Sequence, residues 1–193
     1  MNWFPHSLQL QRLLAVTVCT TLLAACIPTD IVLGPNDTSA RVRFRFVGDG
    51  NDNVLQYTQA TCHFKMDPAT RSLAFITYQH NTLNLNSALS PPPKLDMPND
   101  IPDVSKLTYA EVRVKAGIPL EFGSQWSHGN GFVMYSSAKF AQFTPEASAD
   151  YEVTTGADIG KPMELTVTQL KVVDGRLERL PVVAISVPAC KSL

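Results

Sequence analysis

The sequence has almost no excess charge. Its 16 lysines and arginines against 17 aspartates and glutamates leave a formal net charge of −1. Charge alone therefore points to no nucleic-acid partner. An apolar run long enough to cross a membrane is also lacking. The longest, from Leu13 to the edge of Pro28, holds about 15 apolar or small residues where a span needs roughly 20. No long segment carries a helical period, which argues against an α or α/β fold. Catalytic signatures are missing too: there is no GxSxG elbow, phosphate-binding glycine loop, HExxH pair or paired zinc knuckle. The expectation is a chain that is not an enzyme and needs no cofactor and no metal.

The apolar run itself is informative. It follows Arg12, stands at the N-terminus and is rich in β-branched residues (Val16, Thr17, Val18, Thr20, Thr21), which disfavours a core helix. It matches a secretory signal peptide, a signal helix over residues 1–25. Its end, Leu23-Ala24-Ala25-Cys26, resembles the lipobox of bacterial lipoproteins. That resemblance implies that the Cys26 thiol takes a diacylglyceryl group and becomes the first residue after cleavage. Small residues before the cut let the peptidase reach the backbone, and only cysteine supplies the thiol. By the same resemblance, Ile27 rather than aspartate after the cysteine implies the outer membrane. The membrane is then a partner through the lipid anchor at Cys26, with more than one acyl chain needed for stable attachment.

Residues 26–39, rich in proline, glycine, asparagine and serine, read as a lipidated flexible tether, and 40–193 as one domain. Cys19 leaves with the signal peptide, so Cys62 and Cys190 remain as an even pair. In an exported chain such a pair reads as one disulfide. Chain entropy assigns a loop of that length roughly 4–5 kcal/mol.

Strands follow from period two. In "ARVRFRF" the apolar Val42, Phe44 and Phe46 alternate with Arg41, Arg43 and Arg45, which predicts a half-buried strand with a solvated arginine face; a phosphate patch is the alternative. "GDGNDN" opens like a calcium loop at Asp49, Asn51 and Asn53, but Ala60 stands where the bidentate glutamate belongs, so a hairpin turn is expected. Further strands are predicted at 60–66, 72–79, 109–116 and 131–137. Prolines between Asn86 and Ser105 forbid regular structure, leaving either a partner-facing loop or a passive crossover.

"FTPEASADYEV", Phe143 to Val153, resembles the tyrosine corner of immunoglobulin-like and fibronectin type III-like domains. The likeness implies that Tyr151 is buried with its hydroxyl bonded to the backbone a few residues upstream. The chain's C-terminal half is also similar to uncharacterised proteobacterial lipoproteins. Asp174-Gly175 suits a tight hairpin turn, and the phase shift from Leu165 and Val167 to Leu170 and Val172 predicts a bulge at Gln169.

The fold expected is all-β: an antiparallel β-sandwich, immunoglobulin-like or fibronectin type III-like. For chemistry, His63, His80 and His128 are too far apart in sequence to form a ligand pair. "SQWSHGNGF" gathers Trp126, His128 and Asn130 as possible ligand-binding residues. An exposed tryptophan there would suit sugar stacking, while a core tryptophan beside a turn is the expected reading. The resulting expectation is a lipid-anchored structural or protein-binding module of the cell outer membrane, on its periplasmic face or the cell surface. Its partner would be an envelope protein or a glycan. A glycan- or peptidoglycan-binding lipoprotein is the alternative, and a hydrolase ranks third.

Overall fold

The computed structural model describes residues 33–78, 93–102, 108–129 and 132–191. The signal peptide, the lipobox with Cys26, His80 and Asn130 lie outside the described residues. Ten strands form two five-stranded sheets, a β-sandwich. The strands are β1 (Ser39–Gly48), β2 (Gly50–Tyr57), β3 (Arg71–Tyr78), β4 (Tyr109–Lys115), β5 (Leu120–Gly129), β6 (Met134–Phe143), β7 (Asp150–Ala157), β8 (Glu164–Val173), β9 (Arg176–Pro181) and β10 (Ile185–Val187). The first sheet runs β4-β1-β7-β8-β9 and the second β10-β6-β5-β2-β3. Pairing is antiparallel except between β1 and β7, which run parallel, so the first sheet is mixed rather than antiparallel throughout. Parallel pairing needs a long connection, and five intervening strands provide it.

Alternation builds the core. Ala40, Val42, Phe44 and Phe46 of β1 face Leu120, Phe122 and Trp126 of β5, with Val153, Val114 and Ile76 filling between. Aromatic edges knit the sheets: Phe44 meets Phe122 at 5.6 Å between centroids, Phe122 meets Phe143 at 6.1 Å, and Phe143 meets Tyr151 at 5.2 Å. Such contacts add about 0.5–1.5 kcal/mol each beyond burial.

Several local expectations are corrected. "GDGNDN" is not a hairpin turn: β1 and β2 belong to different sheets, and Gly48 and Gly50, at φ 145° and 123°, carry the chain across. An added Cβ on Gly50 would lie 2.4 Å from the Ser127 carbonyl oxygen, so close approach as well as φ requires glycine. Residues 60–66 form no strand; only His63 bridges Ala189. No bulge interrupts β8, whose pairing with β7 and β9 is continuous, so Leu170 lies on the outer face beside Asp150 and Arg179. The bulge sits instead between Val54 and Leu55 against β3, where Leu73 and Ala74 are both buried. Asp174-Gly175 turns β8 into β9 with φ 50° and 76°, as the sequence pattern predicts.

The tyrosine corner is present. Tyr151 is buried and its hydroxyl accepts the backbone N–H of Glu146 at 2.9 Å, whereas donation to a carbonyl is the usual expectation. Ser148 takes φ 61° in that turn, the role glycine commonly fills.

Candidate functional site

The arginine face of β1 is not solvated. Arg43 is fully buried, with Nε and one Nη donating to Glu111 Oε1 at 3.0 and 2.7 Å and the other Nη donating to Glu152 Oε2 at 3.2 Å. Arg41 grips Asp150 through two bonds of 2.6 and 2.7 Å, and Arg179 holds Asp100 and Glu152. Residues 93–102, the described part of the proline-rich segment, lie over this face. Prolines deny them a ladder, so their carbonyls at Leu95, Met97 and Pro98 accept from Arg41 and Arg43 instead, while Glu111 accepts the N–H groups of Leu95 and Met97. Met97 and Ile101 bury their side chains. The centre of the outer face of the first sheet, around Arg43, is therefore closed by its own chain, while Arg113 and Val172 on the same face stay exposed.

Half of the outer face of the second sheet is closed in a different way. Residues 58–70 cross it above Tyr57, Phe140 and Val187, a small second core. Gly123 makes the room, since a Cβ there would stand 2.5 Å from the Phe140 ring. The Cys62–Cys190 disulfide is formed, with 5.0 Å between Cα atoms, and ties this crossing to the C-terminal segment. His63 N–H donates to Pro188, and Cys190 N–H to His63. The buried His63 ring lies against Tyr57 and Phe140. Its Nδ1 is 3.1 Å from Asp67 Oδ2, and its Nε2 is bonded to the buried Glu121. Both nitrogens are thus engaged in holding the crossing down. Burial also pushes the Tyr57 phenol above its usual range, opposed by the donated bond from Gln125.

Beyond the crossing the outer face of the second sheet is partly exposed among the described residues. Register sets two rows across it: Phe75, Asn53, Gln125 and Ala138, then Thr77, Asn51, Ser127 and Ser136. None of these eight side chains is ionisable. Gln125 Nε2 donates to the Tyr57 hydroxyl at 2.7 Å and to the Lys65 carbonyl at 3.1 Å, which leaves its Oε1 as a fixed acceptor. Lys65 donates to Ser136 Oγ, leaving that hydroxyl its own proton to give. Phe75 is 61 % exposed, and Met134 and Met66 flank the same face at 72 % and 91 %.

The residues singled out from sequence are placed differently. Trp126 is a core residue, 4 % exposed, with Nε1 donating to the Asp49 carbonyl at 2.9 Å, so it offers no stacking platform. His128 stacks on it at 6.3 Å with a 13° interplanar angle. Both share the inward phase of β5, whereas His63 sits on the other side of that sheet, so these two histidines do not converge. The sequence pattern presents Asn51 and Asn53 only as part of a calcium-loop start and gives no role to Gln125 and Ser127. The signal for them was period two: once Trp126 is inward, Gln125 and Ser127 must face out. Comparison with known proteins returned no matching family model, curated protein or solved structure.

Proposed function

We propose that this chain is a lipid-anchored binding module of the bacterial envelope. In this reading it is held at the outer membrane through acyl chains on Cys26 and meets its partner with the open rows of its second sheet. The observation that carries the reading is the contrast between the two outer faces. The first is roofed at its centre by an ion-paired segment, while among the described residues the second leaves Phe75 exposed and Asn53 and Gln125 half-exposed. The lipobox motif supports the address, and an oxidised cysteine pair suits an exported chain. Likeness to proteobacterial lipoproteins belongs to the same proposal.

Two measurements test it. Cys26→Ser removes the thiol that receives the lipid, so the variant should leave the membrane fraction or persist as an uncleaved precursor. Normal acylation and membrane retention of that variant would remove the address. A photo-activated cross-linker at Ser127 should yield envelope adducts that one at the exposed Arg113, on the other sheet, does not. Equal yields from both positions, or none from either, would remove the recognition face.

A further inference from the structure

We infer that the open rows of the second sheet bind a neutral, polyhydroxylated glycan chain. This rests on the reading of that face as the recognition surface and names the class of ligand it takes.

The order of polar and apolar groups decides between a protein and a glycan. Protein-binding patches have an apolar centre and a polar rim. Here the arrangement is reversed: Asn51, Asn53, Gln125 and Ser127 occupy the two middle strands, β2 and β5, with Phe75 on β3 and Met134 on β6 at the sides. Four strands span about 14 Å, room for a few sugar rings in a row. A sugar offers hydroxyls that both donate and accept around its ring edge and C–H groups on its face. Amides and hydroxyls match the first, and an exposed phenyl ring matches the second.

Preorganisation strengthens the assignment. Gln125 cannot rotate away without losing both of its donated bonds, so its Oε1 waits at a set position for a ligand hydroxyl. Ser136 is oriented in the same way by Lys65. The side chains of Asn51, Asn53 and Ser127 make no hydrogen bond among the described residues and are free to serve a ligand. Charge sets the class: the two rows hold no ionisable group, and Lys65 at their border is already bonded to Ser136. An anionic polymer would find no cationic row to neutralise it, whereas a neutral one gives up little hydration that the amides do not replace.

The test titrates the full-length chain, solubilised in detergent, with cellotetraose, maltotetraose and chitotetraose, and with tetragalacturonate as the anionic comparator. At least one neutral tetramer should bind saturably. Asn53→Ala and Phe75→Ala should each weaken that binding about tenfold or more while leaving the unfolding midpoint near that of the parent. Absence of binding by every neutral tetramer at millimolar concentration would overturn the inference, as would binding indifferent to both substitutions or equal binding of tetragalacturonate. The cross-linker at Ser127 distinguishes the recognition face from the kind of ligand it takes. A polypeptide adduct without glycan binding leaves the recognition face standing and removes the glycan, whereas no adduct and no binding remove both.

Discussion

Asp52 of β2 and Thr155 of β7 meet across the middle of the sandwich, the threonine hydroxyl donating to Asp52 Oδ2 at 2.6 Å. Ser124 donates to the other carboxylate oxygen, and all three residues are buried. Each strand presents a polar residue to the core, and each is satisfied only because the opposite sheet or the neighbouring strand supplies its partner. Desolvation holds the Asp52 carboxyl above the usual carboxylate range, partly offset by the two donated bonds.

That shift sets a pH dependence with a definite sign. The unfolded chain releases the Asp52 proton near the ordinary value of about 3.9. Between that pH and the higher folded value the native state holds more protons, so stability from this group is full in acid and declines as pH rises through the window. Asp52→Asn keeps a neutral amide there and removes the decline. Denaturant midpoints of parent and variant should therefore diverge from acid toward neutral pH in favour of the variant. Parallel curves would contradict the assignment.

At the corner, Tyr151→Phe removes the acceptor of the Glu146 N–H. A part-buried backbone donor left unpaired costs up to about 1–3 kcal/mol. Chemical denaturation with an unchanged slope should show that loss, and a change under about 0.5 kcal/mol would mean the bond contributes nothing.

The roof over the first sheet depends on Arg43. Arg43→Met leaves Glu111 and Glu152 buried without that cation and frees the Met97 and Pro98 carbonyls, a loss of about 3–5 kcal/mol. Limited proteolysis should then cut between residues 93 and 102 before the rest of the domain. If cleavage there stays as slow as in the parent, the roof is held by Met97 and Ile101 instead.

Alkylation without reduction should label neither Cys62 nor Cys190. Cys62→Ala with Cys190→Ala should lower stability by about 2–5 kcal/mol. Should both thiols react freely in the untreated protein, the bridge is absent in solution.

Period-two alternation was enough to place β1, β3 and β4, and the Asp174-Gly175 pair to place the last hairpin turn, because each signal lies within a few neighbouring residues. The pairing of Cys62 with Cys190 followed from counting, since no other cysteine follows Cys26 in the chain. The corner at Tyr151 was readable for the same local reason, down to the residue though not to the direction of the bond. What the sequence could not show was the fate of side chains whose partners are far away along the chain. Arg43 looked like one rung of a solvated ladder, yet the acids that bury it lie 68 and 109 residues on. Likewise "NDN" and "SQWS" share no local sign of belonging together; only antiparallel pairing of β2 with β5 sets Asn53 beside Gln125 and turns Trp126 inward. Local propensity decides whether a residue is in a strand, but which face meets water and which is roofed depends on what the rest of the chain lays against it.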